Sequence, residues 1–102
     1  MTDFYGRRSN PSARTDEDAA MCMVTYGPFP TRRDARQGTA EAMASEANTL
    51  TTMYPNEMWA IRRASALLIG ALALVDGTAE ANDRGTEYVD AGKLRFIVYP
   101  VG

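Results

Sequence analysis

The side chains best suited to recognition lie around Trp59. Trp59 and Arg63 are four residues apart, so on a helix the guanidinium can lie over the indole ring, and Arg62 adds a second cation. Tryptophan and arginine are enriched at the energetic centres of protein interfaces. We therefore predict a protein-binding site at Trp59, Arg62 and Arg63. The alternative is a tryptophan half-buried at a helix start, with both arginines facing water.

Residue sets for catalysis or metal binding are sparse. The chain has no histidine and one cysteine, Cys22, which excludes Ser-His and Cys-His nucleophile pairs, histidine metal sites and intramolecular disulfides. With no histidine to activate it, Cys22 is expected to be an inert thiol. Residues 76–87 place acids at the outer positions of a calcium loop, but Ala81 stands where that loop needs glycine. We predict no metal and no cofactor.

The remaining carboxylates fall on predicted exposed faces or loops, whereas acid–base catalysis needs two of them in one sheltered cleft. We therefore expect a protein that is not an enzyme and has no small-molecule substrate. A small carboxylate-dependent enzyme is kept as the second alternative function.

Composition limits the partners further. The 102 residues are 45% apolar and 24% charged, which suits one domain, and the net charge of −2 gives no field that attracts nucleic acid or an anionic membrane. Residues 64–75 carry no charge, but this run is too short to cross a bilayer. Residues 1–20 lack the pattern of a signal peptide, so we expect a cytoplasmic location in a host cell, or a virion.

Residues 1–20 are predicted to be an extended polar N-terminal arm, followed by a single domain over residues 21–102. Gly6 and Pro11 punctuate the arm, and only Phe4 and Tyr5 could anchor it. Two explanations stay open for how the arm could adopt a fixed position. It either lies along its own domain or is held by a neighbouring chain. On the second explanation, the arm's binding residues are Phe4, Tyr5, Arg7 and Arg8.

The pattern along the rest of the chain predicts two helices and three strands. A strand over 21–26 is ended by residues 27–30, and Thr31 caps a helix that reaches about residue 48. A second helix over 57–75 carries two apolar stripes side by side, so it must be covered on more than one side. Strands 86–89 and 94–99 flank a four-residue loop and form a hairpin.

Residues 23–37 resemble the strand–turn–helix of SPOR peptidoglycan-binding domains, in which a strand ends in a Gly-x-Phe turn. The matching positions are Val24, Gly27, Phe29, Thr31 and Ala35. A long apolar helix then follows where that family has a strand. The resemblance therefore implies a local conformation, and no function is carried over from it.

The elements together predict an α+β domain in the order β-α-α-β-β, with two helices packed on a small antiparallel sheet of about three strands. The 57–75 helix has more apolar surface than this domain needs, so we expect a protein partner or a homo-oligomer. Small size and ten arginines against one lysine suggest a phage or mobile-element protein. We expect a structural or accessory component of a larger assembly. The alternative is a small inhibitor of a host defence system, similar to an anti-CRISPR.

Overall fold

A computed structural model of the chain describes residues 2–9, 24–76, 81–91 and 94–102. Cys22, the start of the predicted 21–26 strand and part of the 76–87 loop lie outside them. The described elements are β1 (Asp3–Arg8), β2 (Val24–Phe29), α1 (Arg32–Met53), α2 (Met58–Asp76), β3 (Glu87–Ala91) and β4 (Leu94–Val101). The strands form one antiparallel sheet in the order β2-β1-β4-β3, and both helices pack on one of its faces. The predicted α+β class is confirmed.

The sheet has four strands rather than about three, and the added strand is β1. It lies between β2 and β4, with Phe4 opposite Phe29 and Tyr5 opposite Tyr99. Ser9 extends the contact, since its amide donates to the Arg95 carbonyl at 3.0 Å. This corrects the expectation of an extended arm for residues 3–8. These residues form a strand although they include three charged side chains. The one that faces the helices, Arg8, is paired with Glu46 within the domain, which lowers the cost of burying it.

Gly6 lets β1 approach α1 closely. A Cβ atom at this position would lie 2.0 Å from Thr39 Oγ1, and both residues are buried. Any larger residue would therefore push the strand away from the helix that covers it.

We expect Gly6→Ala to lower the free energy of unfolding by about 2–3 kcal/mol, because the added methyl group overpacks this contact. Denaturant unfolding followed by circular dichroism measures the loss. Adding Thr39→Ala should recover part of it, since this change removes the Oγ1 atom that the methyl group meets and leaves only the Cβ atom of residue 39, at 3.0 Å. A Gly6→Ala protein with wild-type stability would contradict the position of β1.

Strand β2 continues further than expected, through Pro28 to Phe29. Its register against β1 shifts between Phe4 and Gly6, because β2 has an extra residue there. The expectation that residues 27–30 end the strand is wrong at Gly27, Pro28 and Phe29. An edge strand tolerates proline and a bulge, since the amides on one side of its backbone have no neighbouring strand to which they must donate.

Helix α1 starts as predicted and ends later. Thr31 is the N-cap, and its Oγ1 accepts from the Asp34 amide at 3.0 Å. The helix runs past the expected end near residue 48 to Met53, and threonine hydroxyls in its last turns bond to carbonyls one turn earlier. Its small inward side chains let it lie close to the sheet, with Gly38 against the Phe29 ring.

The core lies between the helices and the sheet. Its largest fully buried side chains are Phe96, Met43, Leu67, Leu74, Leu94 and Val98. The predicted hairpin is present, with Ala91 opposite Leu94, so Asp90 and Ala91 belong to β3 rather than to a four-residue loop. Strand β4 also continues past its expected end at residue 99, through Pro100 to Val101.

Candidate protein-interaction surface

Helix α2 buries one of its two apolar stripes and exposes the other. The buried side is made of small and medium residues: Ala60, Ala64, Leu67, Gly70, Ala71 and Leu74. Gly70 brings the helix close to the core, because a Cβ there would lie 2.7 Å from Phe96 and 2.9 Å from Leu94. The small residues face inward since they allow this close approach, and the larger side chains are left outside.

The exposed stripe and one flanking position form a continuous apolar surface, which we call the α2 face. It consists of Met58, Ile61, Ser65, Leu68, Ile69, Leu72 and Val75. Leu72 is 67% exposed and Met58 is 59% exposed. Its apolar side chains present on the order of 500 Å² to solvent, near the upper end of the largest patches on monomeric proteins.

Along α2 itself, charged side chains lie only towards the two ends of the α2 face. Arg62 is exposed in the first turns of α2, and Asp76 is its exposed last residue. Between them, residues 64–75 are uncharged. The middle of the face thus carries no charge, and Arg62 and Asp76 place opposite charges towards its two ends.

A second recognition feature lies at the start of α2, and we call it the Trp59 cluster: Tyr54, Trp59 and Arg63. The Arg63 guanidinium lies 5.9 Å from the centre of the Trp59 ring, which confirms the predicted cation–π contact. The Tyr54 ring packs on Trp59 with 5.1 Å between centroids. Trp59 remains 48% exposed. Sequence reasoning missed Tyr54, whose place depends on the geometry of the link between the helices.

Two of the predicted arm residues, Phe4 and Arg8, are used inside the domain. Phe4 packs against the core and lies under the Arg32 guanidinium at 5.0 Å. Arg8 is buried, where it donates to Glu46 at 2.8 Å and to the Tyr26 hydroxyl at 2.9 Å. Their side chains therefore hold β1 and β2 to α1.

The other two predicted arm residues, Tyr5 and Arg7, lie on the sheet face opposite the helices. Tyr5 stacks on Tyr99 at 5.8 Å, and Arg7 donates to the Tyr99 hydroxyl and to Thr25 Oγ1, each at 3.1 Å. The Trp59 cluster is on the helical layer. The predicted binding residues therefore do not form one site.

One carboxylate differs from the prediction that all of them are solvated. Glu87 is 4% exposed at the start of β3 and is paired with Arg36 at 3.3 Å and Arg32 at 3.7 Å. The signal in the sequence is the pair of arginines four apart on α1, a spacing that aims both at one acceptor. Among the described residues, no three metal-ligating side chains lie close enough together to hold a metal ion.

We expect Glu87→Ala to lower the free energy of unfolding by about 2–3 kcal/mol, because it leaves two partly buried guanidinium groups without their counter-charge. Asp90→Ala is the matched control, since its 3.5 Å pair with Arg95 is exposed and should contribute little. Thermal unfolding compares the two variants. Equal effects would contradict a structural role for Glu87.

Residues 64–75 alone are too few to cross a bilayer, but the whole of α2, with Arg62 and Arg63, is long and apolar enough to do so. One third of it is buried inside the protein, and the core helix of a soluble protein can have the same length and composition. Searches of protein families, curated proteins and solved structures found no match to the chain. The features from which a function can be inferred are thus those of the structure itself, a two-layer α+β fold with an uncovered apolar helix face.

Proposed function

We propose that the protein is a non-enzymatic binding protein that works as a structural or accessory component of a larger assembly, and that it is held there by the α2 face. The observation that carries this proposal is the exposure of Leu72 and Met58 on a helix whose other side is fully packed. Apolar surface of this extent is costly to leave in water and is typical of a binding surface.

The surroundings of the α2 face favour a protein as the occupant over a lipid bilayer. To cross a membrane, α2 would have to withdraw Leu67 and Leu74 from the core that they fill. To lie on an anionic membrane, an amphipathic helix normally carries several cations along its polar face, whereas the only cations of α2 are Arg62 and Arg63. A folded protein surface can cover the face without either requirement.

The experiment compares the wild-type chain with Leu72→Glu in the cells that naturally produce it. On a density gradient, the wild-type chain should sediment with complexes much larger than its 11.2 kDa mass. Leu72→Glu should move to the fractions of the free protein, because a buried glutamate is costly in an apolar interface. If the variant stays in the large complexes, the α2 face is not the binding surface.

The Trp59 cluster supports a second candidate, a small inhibitor that blocks a functional surface of a host defence protein. An exposed tryptophan flanked by a tyrosine and an arginine has the composition of an interface hot spot. The expected phage or mobile-element origin suits both candidates and stays a prediction.

If the inhibitor candidate is right, Trp59→Ala should weaken binding to a host target by about 2 kcal/mol or more, because hot-spot tryptophans contribute at least this amount. Tyr88→Ala, at an aromatic residue on the sheet that is more exposed than Trp59, should leave binding unchanged. Calorimetry with each defence protein that the chain inhibits provides the measurement. Equal affinities for the two variants would exclude the Trp59 cluster as the inhibitory surface.

A further inference from the structure

We infer that the occupant of the α2 face is a second copy of this chain, with the two α2 helices packed antiparallel about a two-fold axis. This inference rests on the proposed function and deepens it by naming the partner. It follows from three properties of the α2 face: its repeat, the sizes of its central residues, and the charges at its ends.

The repeat of the α2 face matches the seam of a helix pair. Its positions alternate in spacings of three and four, which is the a/d pattern by which two helices pack side by side. The pattern holds without a break along the helix, over Met58, Ile61, Ser65, Leu68, Leu72 and Val75. Such a seam is complete only when a second helix with the same repeat lies against it.

Residue sizes in the middle of the seam favour the antiparallel arrangement. In an antiparallel pair, a positions face d positions, so Ser65 of each copy meets Leu68 of the other. Small and large side chains then interlock at the centre. In a parallel pair, the two Ser65 residues would face each other and leave space in the middle of the interface. The remaining antiparallel layers are Met58 with Val75 and Ile61 with Leu72.

The solvent-side flank of the seam is self-complementary in the same arrangement. It consists of Arg62, Ile69 and Asp76, one heptad apart. With the helices antiparallel, Arg62 of each copy lies beside Asp76 of the other, and the two Ile69 residues meet near the axis. This places opposite charges together, accounts for the exposure of Ile69, and aligns the helix dipoles favourably.

The area of the α2 face suits a weak but specific dimer. Two copies would together bury on the order of 1,000 Å², which is about the lower limit for a specific interface. We therefore expect a dimer that dissociates on dilution, with a Kd on the order of micromolar.

The test uses purified full-length chain in two steps. Sedimentation equilibrium from about 1 μM to 1 mM should give a monomer–dimer equilibrium that ends at twice the 11.2 kDa chain mass. Helix orientation is then read from disulfides in a Cys22→Ser background. A Met58→Cys chain mixed with a Val75→Cys chain of different tag length should oxidise to the mixed dimer. Each variant alone should not cross-link, because its two thiols would be about 25 Å apart.

Three other outcomes would contradict the antiparallel dimer, and each would point to a different arrangement of the α2 face. Cross-linking of Val75→Cys chains with each other would show parallel helices. A monomer at every concentration would exclude the second copy, and the density-gradient result for Leu72→Glu would then show separately whether the α2 face binds a different protein. Flotation of a monomeric chain with phosphatidylcholine–phosphatidylglycerol vesicles would assign the face to a membrane surface.

Discussion

Leu72→Glu is expected to raise the dissociation constant of the purified dimer by roughly 100-fold or more. Each dimer would contain two glutamates, and each of them would face Ile61 of the other copy inside an apolar interface. The isolated domain should keep its fold, because Leu72 is 67% exposed and adds little to the core. Sedimentation equilibrium measures the dissociation constant, and circular dichroism monitors the fold.

The control for this variant is Ser45→Glu, which adds the same charge to the exposed side of α1. It should leave the dissociation constant unchanged. A Leu72→Glu protein that dimerises as strongly as Ser45→Glu would exclude the α2 seam. A Leu72→Glu protein that no longer folds would contradict the orientation of α2, because it would place Leu72 in the core.

Removing residues 1–9 is expected to abolish the cooperative unfolding transition. The truncation deletes β1 from the interior of the sheet, so β2 loses its strand partner and β4 loses one of its two. It also removes Arg8 and leaves Glu46 without the guanidinium that it binds at 2.8 Å. A small domain is typically stable by only about 5–15 kcal/mol, so we expect that it does not withstand the loss of an interior strand together with this ion pair.

A chain that lacks only residues 1 and 2 is the matched control, because β1 begins at Asp3. It should melt like the full chain in a thermal scan. If the chain without residues 1–9 also melts cooperatively at the wild-type temperature, β1 is not part of the folded domain.

Because β1 is part of the folded domain, a role of the N-terminal residues in assembly cannot be tested by deleting them. Deleting residues 1–20 would abolish assembly by unfolding the domain, whether or not the segment touches a neighbour. Substitutions on the open sheet face, such as Tyr5→Ser, avoid this difficulty, because they leave the helix-facing side of β1 intact.

The helices could be predicted from the sequence, but not the orientation of α2. Its length and its two stripes follow from the apolar periodicity, and Thr31 marks the start of α1. Both stripes of α2 are apolar, so periodicity alone could not decide which one is buried. That choice depends on Gly70 and the alanines, which let the helix approach Phe96.

Strand β1 could not be predicted because three of its six residues, Asp3, Arg7 and Arg8, are charged and its burial depends on tertiary contacts. Arg8 is buried only because Glu46 and Tyr26 bind it, and Gly6 is buried only because Thr39 packs against it. The predicted hairpin gives β4 one neighbour, and its residues do not indicate the second, because apolar side chains indicate which faces of a strand are buried and not which strands pair with it.

The candidate site could be predicted only where its contacts lie within one helix. The contact between Trp59 and Arg63 follows from helical spacing alone, and it was found. The pairing of Glu87 with Arg32 and Arg36 joins residues far apart in the chain, so it required the folded sheet.

Hydroxyl-radical footprinting of the chain in its native assembly tests the central claim most directly. If the α2 face is covered, Met58 and Leu72 should be oxidised several-fold more slowly in the assembly than in the diluted wild-type monomer. Tyr88 is 63% exposed on the other face of the sheet and serves as the internal reference. Equal oxidation of Met58 in the assembly and in the free monomer, with Tyr88 also unchanged, would contradict the account.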